Sequence, residues 1–421
     1  MHILSQSSGK IIIFSTTILS LIGLYLSYSI GGVISESYYG YRNYFLINQI
    51  YGIALGIIFA FLIVKINYRI LLSLRGYIYY ILIIILLLTA FFGIGYYGSK
   101  QWIGISGIMI KPSVWAIPIM ITYIAGYLSS RKQKIATFYS KIVLLTLYSL
   151  PAILILLQPN ITEAVLIFLT GSFLTYLIGN RVLTRTFLFT LASITIILLL
   201  TSPNYFHYRI LSFIDPGLDP YGLGYQTTRS IVALKNGGLI GSVNNLTTLT
   251  MPIIPDANSG FVFSVIGEKY GFIGIEIIVV IYAIFLYGIY ITSKIAQNYF
   301  GKLLCAGIGF YLTLILVINL GMISGVFPAT EITLPFIGYS GITNSVVNYI
   351  LIGLILSVWI HSPVINPALG KKSISYSYNT YLAKSKKIQL SIESNHIFHW
   401  LTIISSIAGL VELILRMLWK K

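Results

Sequence analysis

The chain has 421 residues, 57% of them hydrophobic and only 9% charged, with a mean hydropathy of +0.88. Soluble domains carry about a quarter charged residues, so the soluble classes are excluded and a polytopic membrane protein remains. The net charge of +17 is assigned to cytoplasmic loops and contact with anionic membrane lipid rather than to nucleic acid, and the single Cys305 rules out an internal disulfide.

Taken in chain order, apolar runs of span length cover 11–34, 47–66, 77–97, 113–129, 141–157, 161–179, 183–201, 260–293, 303–323 and 342–361. Backbone groups in hydrocarbon must be paired within the segment, so these runs predict about ten transmembrane helices and an all-α fold. The first run is too long for a secretory signal and lacks a small-residue cleavage site, so it is expected to be a retained anchor. Lys65, Arg69, Arg75, Arg131, Lys132, Lys134, Lys141, Arg181, Arg185, Lys294 and Lys302 lie in alternate loops. The positive-inside rule then puts both termini in the cytoplasm of a plasma-membrane protein. The segment 98–112 is too polar for a span and predicts a partly re-entrant outer stretch leading into a helix that starts at Pro112.

Residues 201–260, between helices seven and eight, form the one sizeable stretch before the tail that is not mostly hydrocarbon. Its Pro and Gly residues, among them Pro216, Gly217, Gly222, Gly224 and Gly237, read as turns rather than a helix. The expectation is a folded extracytoplasmic cap, with Arg209 set against Asp215 and Arg229 against Asp256. Residues 1–361 form the membrane domain. Residues 362–421 read as a polar cytoplasmic tail ending in an amphipathic helix near 397–419 that rests on the membrane surface.

Few residues can carry chemistry. Glu163, Glu276 and Glu331 are carboxylates at or near span ends, where ionisable groups are costly and often functional. The plainer reading of Glu163 and Glu331 is an interfacial residue within reach of water, and of Glu276 a partner on a neighbouring helix. The outer loops also hold Lys100, Lys111, Arg209, Arg229, Lys235 and Lys269 with Asp215, Asp219, Asp256 and Glu268. Cations around the mouth of an apolar bundle suit a lipid with a phosphate or pyrophosphate head group, though solvated loop charge is the plainer reading. No P-loop, zincin motif or Cys/His metal cluster is present, and the five histidines are scattered.

Five stretches, opening GSKQWIG, LILLQPN, RILSFIDPG, PDANSGF and INLGMISG, resemble the SEDS family (shape, elongation, division and sporulation), and the first helix and NYFLINQ are closer to its FtsW branch than to RodA. GSKQWIGISGIMIKPSVWA is similar to the family's G-x-R-x-W-I…Q-P-S-E, and LILLQPNITEAVLIFLTG to L-x-x-Q-P-D-x-G-T-A. RILSFIDPGLDPYGLGYQTTRSIVALKNGGLIG, PDANSGFVFSVIGEKYGFIG and INLGMISGVFPATEITLPFIGYSG match three further motifs in the same order. The resemblance implies a ten-helix fold and polymerisation of lipid II, or another undecaprenyl-linked sugar, in cell division and cell-wall synthesis. It also implies a penicillin-binding transpeptidase as partner. Such chemistry needs a carboxylate to take the hydroxyl proton, and cations or a divalent metal to stabilise the departing pyrophosphate.

The departures from the family pattern are concentrated in its polar cavity. The family's catalytic Asp falls on Gly260 and the nearby His on Asn258. Its Glu and Lys after Q-P-S fall on Val114 and Ile117, its Q-P-D Asp on Asn160, and an Arg on Asn48. Lys100, Ser113, Tyr225, Gln226 and Glu268 are retained. Lys100, Lys111, Ser113, Tyr225, Gln226, Arg229 and Glu268 are therefore the expected substrate contacts, and Asp256 and Glu163 the candidate replacement bases. The other readings are a non-catalytic scaffold for a transpeptidase, or a flippase for a polyprenyl-linked sugar with a broken helix at Gln158-Pro159.

Overall fold

The computed structural model describes residues 2–96, 99–105, 108–130, 138–158, 160–177, 213, 223–242 and 256–362. In chain order these form α1 (His2–Tyr39), α2 (Tyr44–Lys65), α3 (Ile70–Phe92), β1 (Ile94–Tyr96), β2 (Ser99–Ile105) and β3 (Ile108–Ile110). Then come α4 (Pro112–Ser130), α5 (Phe138–Leu156), α6 (Ile161–Tyr176), α7 (Leu223–Gly237), α8 (Val262–Ile295), α9 (Tyr299–Ile323) and α10 (Gly341–Ile360). Seven of these helices are long and apolar enough to cross a membrane, while Ile142–Leu156 and Ile161–Tyr176 are apolar but shorter. The expected span 183–201, the first part of the cap and the tail with its amphipathic helix lie outside the described residues.

Burial sorts the helices into centre and rim. Helices α4, α9 and α10 are buried on nearly all faces, and α4 touches α3, α6, α9 and α10. By contrast α2 buries only Gln49, Gly52, Gly56 and Ala60, and α3 only Tyr79, Leu82, Leu86 and Thr89. Each set recurs every three or four residues, one stripe of a helix whose remaining surface is left for lipid. After Gln49 the α2 stripe is made of small residues, so α10 approaches closely: Gly52 abuts Ser345, Gly56 abuts Tyr349, and Gly353 abuts Ala60.

Three features depart from the sequence expectation. The segment after α3 is not a re-entrant stretch but a three-stranded antiparallel meander, with Ile94 opposite Trp102 and Ile103 opposite Ile110. The fold is therefore α-helical with one small sheet at the end of the bundle, where strands pair with one another instead of with lipid. The cap is partly helical, because α7 runs through Gly224 and reaches Gly237. Gln158 and Asn160 do not break a helix but turn the chain from α5 into α6, with Asn160 accepting from the Glu163 N–H at 3.2 Å as the cap of α6. Pro112 does open α4, where its missing N–H costs nothing.

The broken helix is α8. At Gly271 its backbone turns to φ 69, ψ −168, a conformation open to glycine. There the turn after α7 inserts, with Phe272 N–H donating to Gly238 and Ile273 N–H to Leu239. Gly237 packs backbone to backbone on α8, and a Cβ there would lie 1.9 Å from the Gly267 carbonyl oxygen. Ser230 completes the joint, hydrogen-bonding Ser264 of α8 at 2.5 Å and the Ile323 carbonyl of α9 at 3.0 Å. Gly237→Ala is expected to pry α7 from α8 and cost about 2 kcal/mol. Thermal unfolding of the purified variant in detergent measures this, and an unchanged midpoint would contradict the close approach.

Candidate functional site

The site is built from the ends of four elements. At the entry to α4, Lys111 is buried to 6% exposure, directly before the helix N-terminus. A buried ammonium is costly unless paired, and the positive end of a helix beside it adds to that cost. The pairing comes from α6. The Glu163 Oε1 lies 2.9 Å from the Lys111 Nζ, and Glu331, in the segment between α9 and α10, reaches the same Nζ at 3.9 Å. The Trp102 ring of β2 lies beside the ammonium, 5.9 Å from its centroid. Neighbouring Asn160 donates to Gln101 at 3.1 Å, which ties the start of α6 to the sheet.

The turn before α8 closes the other side. Asp256 takes φ 57, which Asp adopts more readily than most residues, and its carbonyl accepts from the Ser259 and Phe261 N–H groups. The turn is held against the segment from Thr330 to Tyr339, where the Tyr339 N–H donates to Asn258 and a Cβ on Gly338 would meet the Ser259 carbonyl at 2.7 Å. That segment is fixed by Tyr282, whose hydroxyl donates to the Pro335 carbonyl, and by Thr330, whose N–H points at the Met322 Sδ at 2.9 Å.

Gly260 and Asp256 address the same strip of this segment. A Cβ on Gly260 would sit 3.3 Å from the Thr330 carbonyl oxygen and 3.6 Å from that of Ile332, so the position is tight but not closed to a side chain. Between those carbonyls stands Glu331. Asp256 keeps an open face to solvent, yet protein crowds it. Loss of surrounding water, then the neighbouring Glu331 charge, raise its carboxyl above the usual carboxylate range, opposed by a hydrogen bond from Ser259.

Of the expected site residues, the structure joins Lys111 to Glu163, and the charge of Glu331, which also reaches Lys111, is felt at Asp256. Ser113 lies fully buried in the first turn of α4, and its hydroxyl finds no hydrogen-bond partner among the described residues. Tyr225, Gln226 and Arg229 are half-buried on α7. Arg229 does not pair with Asp256 as the sequence suggested, but lies over the Tyr225 ring at 5.0 Å from its centroid. Glu268 is buried on α8, and Lys100 lies on β2 opposite Gly95. Glu276 does not meet a partner helix as expected but faces outward from α8. Arg209 and Asp215 lie outside the described residues.

Val114 and Ile117, where the resemblance implies polar groups, are buried apolar residues on α4. Sequence reasoning named Glu331 as a candidate carboxylate but not as a partner of Lys111, and did not assign Gln101 and Trp102 to the site. The reach of Lys111 joins Glu331 and Trp102, Asn160 brings in Gln101, and no spacing in the sequence records it. The residues do not fit a divalent metal either. Among the described residues no group of three or more His, Cys, Asp and Glu converges, and the Lys111 ammonium holds the place between the two carboxylates.

The profile of the cell cycle protein family FTSW_RODA_SPOVE matches residues 10–363. The "Probable peptidoglycan glycosyltransferase FtsW" of Hydrogenovibrio crunogenus is 30% identical over 353 residues, covering 82% of this chain and 90% of that one. Its counterpart from Coxiella burnetii is 30% identical over 84% of this chain and 97% of its own length. Stage V sporulation protein E of Bacillus subtilis is 27% identical over 84% of this chain and 97% of its own length. Among solved structures, a chain from a peptidoglycan synthase complex superposes with a TM-score of 0.65 at 22% identity, covering 83% of this chain and 96% of that one. The rod shape determining protein RodA of Thermus thermophilus does so with a TM-score of 0.61 at 20% identity, covering 83% and 95%.

Removing one partner of a buried ion pair strands the other charge, at about 3–5 kcal/mol, whereas replacing both with apolar groups is far milder. Lys111→Met is therefore expected to destabilise the chain by about 3 kcal/mol, and Lys111→Met with Glu163→Leu to recover most of that loss. Thermal unfolding of the three proteins in one detergent forms the test. A double variant no more stable than the single one would show that the pair does not organise this end of the bundle.

Proposed function

The chain belongs to the FtsW, RodA and SpoVE family of cell cycle proteins, and from that premise we propose that it is a peptidoglycan glycosyltransferase whose catalytic base has moved from position 260 to Asp256. It acts on lipid II at the extracytoplasmic face of the plasma membrane, with both termini in the cytoplasm and a penicillin-binding transpeptidase as partner. The observation that carries this reading is the common frontage of Gly260 and Asp256 on residues 330–332. A carboxyl four residues upstream can reach the space that a side chain at 260 would have occupied.

In this mechanism a sugar hydroxyl of one lipid-linked unit attacks the anomeric carbon of the growing glycan. Asp256 accepts the hydroxyl proton as the new glycosidic bond forms. The bond to the pyrophosphate breaks, and the pyrophosphate leaves with its electron pair. A raised carboxyl suits a base working near neutral pH better than an ordinary one does. Arg229 is the cation best suited to the leaving pyrophosphate, because no carboxylate pairs with it among the described residues. Lys111 is already neutralised by Glu163 and Glu331, so its role is to hold Glu331 in place beside the base. Tyr225, Gln226, Ser113, Lys100 and Glu268 supply the remaining contacts.

A second reading is favoured by Val114 and Ile117, which make the α4 face apolar where the family pattern is charged. On that reading the chain is a scaffold that binds the transpeptidase and transfers no sugar. Polymer assays on purified protein with lipid II separate the two. If Asp256 is the base, the wild-type chain makes glycan and Asp256→Ala loses about 100-fold or more. If the chain is a scaffold, the wild type makes none but co-purifies with a transpeptidase.

The pH profile gives a further test. Asp256 acts only when deprotonated, so the rate rises with pH through a carboxyl raised above its usual range. Removing the neighbouring negative charge lets Asp256 ionise at lower pH. Glu331→Gln should therefore move the acid limb of the rate profile to lower pH, and an unmoved limb would separate Glu331 from the base.

A further inference from the structure

On the flank of the bundle where α1 and α8 run side by side, three residues meet outside the site described above. The Lys269 Nζ donates to the Tyr25 hydroxyl at 3.1 Å, and the Tyr270 hydroxyl donates to the same oxygen at 2.9 Å. Lys269 also lies 5.3 Å from the ring centroids of both tyrosines. The Tyr25 oxygen thus accepts two hydrogen bonds, and its own hydrogen is committed to neither donor. Lys269 keeps two further ammonium hydrogens. Three N–H and O–H donors therefore converge at one point. The point is open, since Tyr25 is 49% and Tyr270 36% exposed.

The surface below this point is apolar on both helices. On α1, Phe14, Ile18, Leu21 and Tyr25 follow one another by four, three and four residues, a single stripe, and Phe14 and Leu21 are exposed. On α8, Ile273, Ile277 and Ile284 are exposed. The two helices are held together along their length, with Gly288 against Ile12 and Thr292 bonded to Ser8 at 3.1 Å. Of the acids among the described residues, Glu268, the sequence neighbour of Lys269, is buried, and Glu276 lies about a third of a turn round α8 from the Gly288 face that meets α1. Glu36 is about 16 Å further along α1.

We infer that Tyr25 and Lys269, with Tyr270 bracing the Tyr25 hydroxyl, hold the phosphate of one anionic phospholipid, whose acyl chains lie along the α1–α8 seam in the leaflet on the side of the candidate active site. The chemistry selects this occupant. Convergent donors need an anion with several acceptor oxygens, and the exposed apolar seam beneath needs hydrocarbon. A transmembrane helix would satisfy the seam but brings its backbone acceptors already paired. The site is independent of whether the chain transfers sugar.

The test uses the purified full chain, delipidated in a mild detergent and titrated with phosphatidylglycerol or with phosphatidylcholine of the same acyl chains. Retained lipid is counted by native mass spectrometry, and thermal midpoints are followed in parallel. The expected result is one phosphatidylglycerol retained at least tenfold more tightly than phosphatidylcholine. That preference should be lost in Lys269→Gln and reduced in Tyr25→Phe, both exposed substitutions whose folding is checked by gel filtration. Tyr270→Phe, which leaves both anion donors in place, should keep most of it. Equal retention of the two lipids, or full preference in Lys269→Gln, would overturn the proposal. So would competition by inorganic phosphate alone, which would make the ligand a free anion. Displacement of the bound lipid by a transpeptidase span would assign the seam to protein instead.

Discussion

One buried lysine sets the terms for the end of the bundle that carries the candidate site. Lys111 stands at the N-terminus of the most central helix, where both burial and the helix dipole oppose a positive charge. Its neutralisation therefore cannot be left to solvent, and it comes from carboxylates on two other elements. Glu163 brings in α6, Glu331 brings in the segment between α9 and α10, and through that segment comes the turn that presents Asp256. The placement of the acids follows from the lysine, as a buried charge tolerates little freedom in its partners.

The other constraint is steric. The cap helix α7 reaches α8 only because glycines leave space at both backbones, Gly237 against Gly267 and Gly241 against Lys269 and the kink at Gly271. The kink divides α8 into a short segment beside the site and a long membrane-crossing one. The cap is thus fastened to the short half, and Tyr225 and Arg229 on α7 are carried to the mouth of the bundle. Charge fixes one side of the mouth and backbone contact the other.

The same end of the bundle is otherwise poor in buried charge. Position 260 is a glycine and positions 114 and 117 are buried apolar residues, while a Lys–Glu pair stands at 111 and 163. The two members of that pair lie on different elements, Lys111 just before α4 and Glu163 on α6. An acid at 163 without the lysine would be a half-buried charge without its partner, and the lysine without that acid would keep only the longer contact to Glu331.

The amino-acid sequence by itself determined the class of molecule and most of its spans, because hydrocarbon forces the backbone to pair within each apolar run and leaves helix as the outcome. Pro112 as a helix start was legible too, because a missing N–H costs nothing at that position. The ordered motifs were enough to indicate the family. Tertiary structure alone decided which charges meet. Lys111 and Glu331 are 220 residues apart in a sequence whose spacing carries no record of their contact. It also decided that Arg229 turns to Tyr225 instead of Asp256, that residues after α3 pair as strands, and that the helix break falls at Gly271 rather than beside Gln158. Each of these depends on what lies across the bundle, where packing and the cost of an unpaired charge outweigh local preference.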